Sequence, residues 1–394
     1  MDIVLRYYSA GESHGRGIFA FLDGFPAGVR VQPDDINFWL AERQKGYGRG
    51  GRQRIEKDEV DVLSGIRGGV TLGSPILLAV WNRDFKNWES AMDPWKPSTG
   101  ERARKVVRPR PSHADLVGAL KYEHDDCRNI LERASARETA ARVAAGALCR
   151  KLLAEFGVDM VGHVVQIGEA AADTDRIPTA ELRERSMASD VRCADAEAGT
   201  RMREAIRQAK RDKNSLGGII EVRAWGLPAG LGSHTQADRK LDAAIAQAMM
   251  SIQAVKGVEV GIGFRGAHLR GSAYHDEIVW SEAPKGGSHY VRTSNHLGGT
   301  EGGMSSGEEL LVRIVKKPIS TLMRPLRTVN IETRQPDAAL VERSDTCAVP
   351  ALALIAEHAV AIVLAQFFIE QFGGDSVAQM KRSYDAYVAA LSER

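Results

Sequence analysis

Three side chains that can donate, accept and move protons stand together near the start of the chain. Glu12, Ser13 and His14 lie in YSAGESHGRG (residues 8–17), between glycines that favour a tight turn. Such a turn could present an imidazole as a general acid or base. The same residues are also ordinary turn formers, and a single histidine on a turn is often only solvated. This motif alone leaves both interpretations open.

Arginine and glycine alternate in a second motif, LAERQKGYGRGGRQR (residues 40–54). Glycine lets the backbone approach a ligand closely, and guanidinium groups suit phosphate and carboxylate. Arg43 and Arg49 are therefore candidate anion ligands, with Arg52 and Arg54 beside them. A solvated basic hairpin is the alternative.

A histidine and an aspartate follow two prolines in RPRPSHADL (residues 108–116). The prolines restrict the backbone, so they could hold His113 in a fixed place, with Arg110 just before it. The alternative is a surface turn in which Asp115 caps a helix.

A helix start with flanking arginines lies in ERASARETAARVAAGALCRKLLAEFG (residues 132–157). Ser135 and Glu138 match the S-x-x-E capping box, which predicts a helix over residues 135–156. Arg133 and Arg137 beside a helix N-terminus favour an anion, although most capped helices bind nothing.

Two segments in the second half could also contact a ligand. GGTEGGMSSG (residues 298–307) precedes KKPIST (residues 316–321), where Lys317, Ser320 and Thr321 could reach phosphate oxygens. An exposed flexible turn explains the glycines equally well.

In RSDTCAVPAL (residues 343–352), Asp345 could cap a helix, pair with Arg343, or act as a base in an enclosed site.

The composition excludes several classes of protein. Lys and Arg number 53 against 51 Asp and Glu, a formal net charge of +2, which argues against binding nucleic acid over the whole surface. The four cysteines are scattered and have no metal-ligand spacing, so no metal site and a reducing, cytoplasmic location are expected. The N-terminus lacks the pattern of a signal peptide. The apolar run at 351–368 contains Glu357 and His358 and follows a proline, which indicates a buried core helix and no membrane span.

Strand and helix patterns alternate, and part of the pattern occurs twice. Residues 18–46 and 219–257 each show an apolar strand, G-x-P-A-G, a polar stretch and a helix ending in Lys-Gly. We expect an α+β fold with a pseudo-duplicated strand–turn–helix unit and helices packed on mixed or antiparallel sheets. No linker divides the chain, so residues 1–394 are expected to form a single domain. The pattern also predicts other elements: strands at 58–64, 73–81, 161–168, 257–264 and 309–316; helices at 34–45, 237–255 and 350–372; and irregular segments at 82–112 and 172–200.

The ordered set of motifs resembles the chorismate synthase family. AGESHGRG, GYGRGGR, RPSHADL, RASARETAARVAAG, SIQAVKGVEVG, EGGMSSG, KPIST and RSDTCAVPA occur in the family's order, from about residue 7 to about residue 375. The resemblance implies a β-α-β sandwich and a homotetramer. It also implies conversion of 5-enolpyruvylshikimate 3-phosphate, a phosphorylated dicarboxylate, to chorismate and phosphate. That reaction is an anti-1,4-elimination that needs reduced FMN, with NADPH as the source of reducing equivalents.

The resemblance also assigns residues to roles. His14 would protonate the leaving phosphate, His113 would lie at the pyrimidine edge of the flavin, and Asp345 would help the flavin N5 take up a proton. Arg43, Arg49, Arg110 and Arg137 would bind substrate anions, and the first two match positions assigned to NADP. The implied FMN contacts are Arg133, Ala134, Ser135, Gln253, Ala254, Gly302, Lys317, Pro318, Ile319, Ser320, Thr321 and Arg343. The chain departs from the family at Ser112, usually Gly, and at Ala134, commonly Ser.

Two other functions fit parts of the sequence. A polyanion-binding protein could use residues 43–54 and 102–110, although the near-zero net charge and the lack of interleaved aromatic residues count against it. A non-catalytic flavin carrier is the other alternative, and full activity of His14→Ala and Asp345→Asn variants would count against the assigned mechanism. An external flavin reductase is expected, because no added reductase domain is visible.

Overall fold

The structure, a computed structural model, describes residues 5–50, 57–342 and 344–394. Every strand ladder in these ranges is antiparallel. The strands are β1 (Arg6–Ala10), β2 (Gly17–Asp23), β3 (Val60–Ser64), β4 (Ile66–Arg67), β5 (Val70–Thr71), β6 (Ile76–Trp81), β7 (Asp159–Ile167), β8 (Ala170–Ala171), β9 (Gly218–Trp225), β10 (Val255–Val260), β11 (Ile278–Lys285), β12 (Ser288–Arg292), β13 (Thr300–Glu301), β14 (Met304–Ser305), β15 (Leu310–Lys316), β16 (Arg327–Val329) and β17 (Pro336–Ala338).

Helices separate groups of these strands. The α-helices are α1 (Pro33–Gln44), α2 (Asp115–Tyr122), α3 (Arg128–Ala134), α4 (Thr139–Ala154), α5 (Thr179–Ala188), α6 (Ala196–Arg211), α7 (Leu241–Met250), α8 (Gly271–Tyr274), α9 (Val349–Phe372) and α10 (Val377–Ser392). Short 3₁₀ turns occur at Arg83–Asn87, Glu101–Ala103, Ala136–Glu138, Ala237–Arg239 and Gly263–His268.

Two sheets form the main β structure. The first has the strand order β1-β2-β6-β3 and the second β10-β15-β9-β7-β8. Along β2, Ile18, Ala20 and Leu22 are buried while Phe21 is exposed, the alternation of a strand with one face on the core. In the second sheet Val312 pairs with Val222, and both are buried.

Two helices connect the sheets to the core. Helix α4 packs against β2 and β6, α9 packs against β7 and β9, and the two helices pack against each other. Helix α9 is apolar on all sides because it is buried on nearly all sides. It is the one helix in the described residues that is long and apolar enough to cross a membrane, and its apolar stretch lies inside the protein. The expected core helix is therefore confirmed.

Most expected elements are present, with shifted ends. The helices at 34–45 and 350–372 and the five strands lie within a few residues of their predicted positions. Each repeated segment holds a strand followed by a helix, β2 with α1 and β9 with α7.

Three expectations are wrong. The capping box does not form, since a 3₁₀ turn precedes α4 and the carboxylate of Glu138 accepts from Ser9 and Gln253 instead. The helix over 237–255 ends at Met250, because the backbone reverses at Ala254 (φ 69°) into β10. Residues 172–200 are not irregular, because they contain α5 and the start of α6. Helix α5 buries only two side chains among charged residues, whereas the buried side chains of α6 recur every three or four residues, a helical period that the prediction missed.

The contact of α9 with β7 depends on a glycine that leaves no room for a side chain. A Cβ at Gly162 would lie 2.1 Å from the carbonyl oxygen of Ala353, a backbone atom of α9. We expect Gly162→Ala to reduce the free energy of unfolding by about 1–3 kcal/mol, because either the helix or the strand must shift. Urea denaturation measures this loss.

The matched control is Gly271→Ala, where the nearest atoms to a new Cβ are 3.7 Å away. It should change the free energy of unfolding by less than about 0.5 kcal/mol. Equal midpoints for both variants and the wild-type protein would show that α9 and β7 do not approach this closely.

Candidate active site

The turn that carries His14 is shaped by glycine and fixed by Glu132. Gly11 has a φ of 105°, and a Cβ there would lie 2.1 Å from the carbonyl oxygen of Gly17. The backbone N–H of His14 donates to Oε2 of Glu132 at 2.9 Å, and His14 Nδ1 lies 2.9 Å from Oε1. The imidazole stacks on Trp88, with ring centroids 3.8 Å apart. The turn therefore holds its histidine in one orientation.

Asn82 connects this turn to a buried arginine. Its side-chain amide donates to the carbonyl oxygen of Gly15 at 2.7 Å and to that of Glu12 at 3.2 Å. Its Oδ1 accepts from Nε of Arg137 at 2.8 Å. Arg137 and the His14 turn are thus parts of one hydrogen-bonded unit.

Two arginines share one buried carboxylate. Arg43 Nη2 and Arg137 Nη1 each lie 2.5 Å from an oxygen of Asp58, whose side chain has no exposed surface. Burial alone would raise the pKa of Asp58, but the charges and hydrogen bonds of both guanidinium groups lower it below its ordinary value. Burial lowers the pKa of Arg43. The charge of Asp58 opposes this shift, and the charges of Arg137 and Arg49 add to it. Among the described residues, none hydrogen-bonds to the buried Nη2 of Arg137.

The glycine-rich motif approaches the segment that carries Asp345. Asp345 Oδ1 accepts from the backbone N–H of Gly50 at 2.6 Å, and Oδ2 lies 2.8 Å from Nη1 of Arg49. The carbonyl oxygen of Gly48 accepts from Thr346 at 2.9 Å. The glycines therefore let this backbone lie against another part of the chain. Arg52 and Arg54 lie outside the described residues.

His113 has its own carboxylate partner. Its Nδ1 lies 2.6 Å from Oδ1 of Asp115, which is fully buried at the start of α2. Arg110 donates to the same carboxylate through Nε at 2.8 Å and Nη2 at 3.1 Å, and to Oγ1 of Thr321 at 3.1 Å. Burial raises the pKa of Asp115, yet hydrogen bonds from His113 and Arg110 bring it well below the usual range.

KPIST packs against the backbone next to His113. Nζ of Lys317 donates to the carbonyl oxygen of Ser112 at 2.9 Å and to Oγ of Ser320 at 3.0 Å. Ser112 has a φ of 61°, a left-handed conformation that explains why the family usually has glycine there. Burial lowers the pKa of Lys317, and it lowers that of its neighbour Lys316 to about 8. Cationic groups thus gather around this segment.

Residues 253–254 connect that segment to the start of α4. The carbonyl oxygen of Ala254 accepts from Lys317 at 2.9 Å, and Nε2 of Gln253 donates to Glu138 at 3.1 Å. Glu138 also accepts from Ser9, whose carbonyl oxygen accepts from Arg133 at 2.8 Å. Ser135 Oγ lies 3.1 Å from Oγ of Ser13, next to His14.

One residue implied by the resemblance is not part of these clusters, and another lies outside the described residues. Gly302 is in the β13–β14 turn, where a Cβ would lie 3.8 Å from that of His234. Arg343 lies outside the described residues. Ala134 is the last residue of α3, and Pro318 and Ile319 lie in the KPIST segment. The backbone carbonyl oxygen of Ile319 accepts from Oγ of Ser215 at 2.7 Å.

Three supporting residues did not stand out in the sequence. Asp58, Asn82 and Glu132 make the contacts that hold the arginines and His14, yet each lies between motifs or at the edge of one. No spacing rule connects Asp58 with Arg137, which is 79 residues away. Only the fold brings them together.

The arrangement fits a phosphorylated aromatic cofactor such as FMN. Lys317 has three N–H donors and uses two, which leaves one for a phosphate, and Ser320 and Thr321 add hydroxyls. Oε1 of Gln253 is buried and has no hydrogen-bond partner in residues 5–50, 57–342 and 344–394, and such an acceptor suits the N–H of a flavin pyrimidine edge. In the described part of the chain, no group of histidine, cysteine and acidic residues could hold a metal ion.

Comparison with known proteins shows the family. The sequence profile of chorismate synthase matches residues 5–369. The chorismate synthase of Symbiobacterium thermophilum is 54% identical over 99% of this chain and 100% of its own length. That of Trichlorobacter lovleyi is 51% identical, with the same coverage. A crystal structure of a chorismate synthase has a TM-score of 0.79 at 40% identity and covers 99% of both chains. The chain therefore belongs to the chorismate synthase family.

Proposed function

We propose that the protein converts 5-enolpyruvylshikimate 3-phosphate into chorismate and phosphate, a lyase step of aromatic amino acid biosynthesis in the shikimate pathway. Family membership over nearly the whole chain supports this reaction. The observation that carries it in the structure is the hydrogen-bonded connection from the His14 turn, through Asn82, to arginines that hold excess positive charge. An acid beside an anion site is what phosphate loss requires.

The arginines would bind the substrate's two carboxylates and its phosphate. Within the part of the chain that the structure describes, Arg43 and Arg137 share the single negative charge of Asp58, so these three groups carry a net charge of +1. The free Nη2 of Arg137 supplies a donor for a substrate oxygen. Arg49 and Arg110 complete the proposed set, and Arg43 and Arg49 are also proposed to contact NADP.

His14 and His113 would act through Nε2, because Nδ1 of each ring is occupied by a carboxylate. We assign His14 Nε2 as the proton donor to the leaving phosphate and His113 Nε2 as the hydrogen bond to the cofactor edge. Arg49 now contacts Oδ2 of Asp345. If Arg49 bound a substrate anion instead, Oδ2 of Asp345 would be free to accept a proton. Asp345 is therefore the proposed proton acceptor.

Reduced FMN, when bound, supplies electron density to the allylic system of the substrate. The residues proposed to hold it are Arg133, Ala134, Ser135, Gln253, Ala254, Lys317, Pro318, Ile319, Ser320 and Thr321, with Gly302 and Arg343 by family likeness. Alanine and serine side chains among them are small enough to pack against a flat ring, and the donors of KPIST suit its phosphate.

The finer features of fold and location are part of this proposal. We propose one domain over residues 1–394, a β-α-β sandwich with a duplicated strand–turn–helix unit at 18–46 and 219–257, and a homotetramer. Helices α4 and α9 packed between strands of the two sheets support the sandwich. A cytoplasmic location suits the four cysteines, which are buried thiols without disulfides. The proposal includes no nucleic-acid or membrane partner.

The direct test of the function is an anaerobic assay of phosphate release from 5-enolpyruvylshikimate 3-phosphate. Chemically reduced FMN should support turnover, while oxidised FMN with NADPH as the only reductant should not, because an external reductase is proposed. Folded protein that releases no phosphate with reduced FMN would reject the function. Turnover with NADPH alone would reject only the external reductase.

The two histidines should each contribute to turnover and little to stability. His14→Ala and His113→Ala should each lower kcat by about 10²–10⁴-fold, the usual contribution of a positioned acid or base. Their far-UV circular dichroism should match that of the wild-type protein. His268→Ala is the control, because this histidine is exposed and outside the clusters. Full activity of both His14→Ala and His113→Ala would contradict the assigned roles.

Removing the carboxylate shared by the two arginines should destabilise the protein. Asp58→Asn leaves the guanidinium groups of Arg43 and Arg137 buried together without a counter-charge, so we expect a loss of about 3–5 kcal/mol in the free energy of unfolding. The control Glu59→Gln removes one partner of an exposed ion pair with Arg83 and should cost less than about 1 kcal/mol. Equal urea midpoints for the two variants would contradict this view of Asp58.

A further inference from the structure

The imidazole of His14 is held on two sides and leaves only Nε2 available. Nδ1 lies 2.9 Å and 3.0 Å from the two carboxylate oxygens of Glu132. The ring face lies on Trp88 at an interplanar angle of 23°. In the described residues no protein group hydrogen-bonds to Nε2, so any proton that this ring transfers leaves from that atom.

Glu132 is placed to remain a carboxylate. Its side chain is only 3% exposed, and its carboxylate accepts hydrogen bonds from Nδ1 and from the backbone N–H of His14. Burial by itself raises the pKa of this carboxyl group, but the hydrogen bonds and charge of His14, together with Arg128, lower it below its ordinary value. An anion is therefore fixed beside Nδ1.

The second histidine has a similar partner that accepts more hydrogen bonds from arginine. Asp115, beside His113, accepts hydrogen bonds from Nε, Nη2 and the backbone N–H of Arg110, all within 3.1 Å. Glu132 accepts one hydrogen bond from Arg128, at 3.4 Å. Glu132 therefore accepts fewer hydrogen bonds from arginine than Asp115 does, although Arg110 also lies 3.4 Å from Glu342.

Two cations lie near the stacked rings of His14 and Trp88. The guanidinium groups of Arg102 and Arg128 lie 4.8 Å and 5.3 Å from the centroid of the indole. Arg128 also lies 3.4 Å from Oε1 of Glu132, so this carboxylate contacts both the imidazole and a guanidinium group. Glu12, two residues before His14, is the remaining carboxylate of the turn.

We infer that Glu132 is a positioning residue for the reaction: its carboxylate fixes the proton on Nδ1 of His14, so that Nε2 carries the proton given to the leaving phosphate. This inference rests on the proposed function. In that step the Nε2–H bond breaks, the carbon–oxygen electron pair leaves with the phosphate, and an O–H bond forms on it. The imidazole becomes neutral and keeps its Nδ1–H donated to Glu132.

The test compares Glu132→Gln, Glu132→Asp and the wild-type protein. Glu132→Gln keeps the shape but removes the charge, so kcat should fall by about 10²–10⁴-fold while KM changes by less than about threefold. Glu132→Asp keeps the charge and should recover part of kcat. Glu155→Gln, which removes an exposed partner of Lys381 far from the clusters in sequence, should leave kcat unchanged.

A second measurement reads the imidazole directly and needs no turnover. In ¹⁵N-histidine-labelled protein, with His14 assigned from a His14→Ala spectrum, Nδ1 should stay protonated from about pH 6 to 9 in the wild-type protein. In Glu132→Gln the Nδ1 signal should move toward that of an unprotonated nitrogen. If Glu132→Gln does not fold, Glu132→Asp is compared in the same way and should resemble the wild-type spectrum.

The outcomes separate this inference from the proposed function. Wild-type protein that releases no phosphate rejects the function, while the nitrogen signals still decide how Glu132 acts on His14. An active wild-type protein whose Glu132→Gln variant keeps kcat within about threefold, or shows an unchanged Nδ1 signal, overturns the inference.

Discussion

The site depends on the sharing of one buried carboxylate by two guanidinium groups. Asp58 holds Arg43 from the end of α1 and Arg137 from the turn before α4, and Arg137 in turn holds Asn82 and the His14 turn. Burying two arginines with one aspartate costs free energy of desolvation, and it costs more than burying a neutral ion pair. A chain that keeps such a cluster retains an electrostatic preference for an anion, which a substrate with a phosphate and two carboxylates would satisfy.

The same principle explains how a nearly neutral protein can concentrate positive charge. Every arginine in the proposed set is held by a specific acceptor: Asp58 holds Arg43 and Arg137, Asp345 holds Arg49, and Asp115 holds Arg110. These carboxylates orient the guanidinium groups and reduce the cost of burial without cancelling all of their charge. The two histidines are held in a similar way, since Nδ1 of each lies against a carboxylate and Nε2 is the atom proposed to react. Orientation by acidic residues is thus the common feature of the site.

The motifs that carry the proposed reacting groups could be found from the sequence, but the groups that position them could not. His14, His113, Asp345 and the arginines lie in segments whose glycine, proline and charge patterns are unusual. Asp58 and Glu132 have no such local signal, because their contacts depend on partners 79 and 118 residues away. The core helix α9 was predictable from a long apolar run that follows a proline. Helix α5 was not, because it buries only two side chains among charged residues, whereas α6 has a buried face at helical spacing that the prediction missed. The capping box at Ser135 failed because Glu138 is used in a tertiary contact with Ser9 and Gln253.

We propose that distant segments of the chain form one site in which His14 faces the substrate phosphate and His113 faces the flavin. A crystal structure of the protein with FMN and 5-enolpyruvylshikimate 3-phosphate would test this arrangement. We expect a phosphate oxygen within hydrogen-bond distance of Nε2 of His14, the flavin pyrimidine edge beside Nε2 of His113, and substrate oxygens on Arg137. A complex in which either ligand binds away from these three side chains would contradict it.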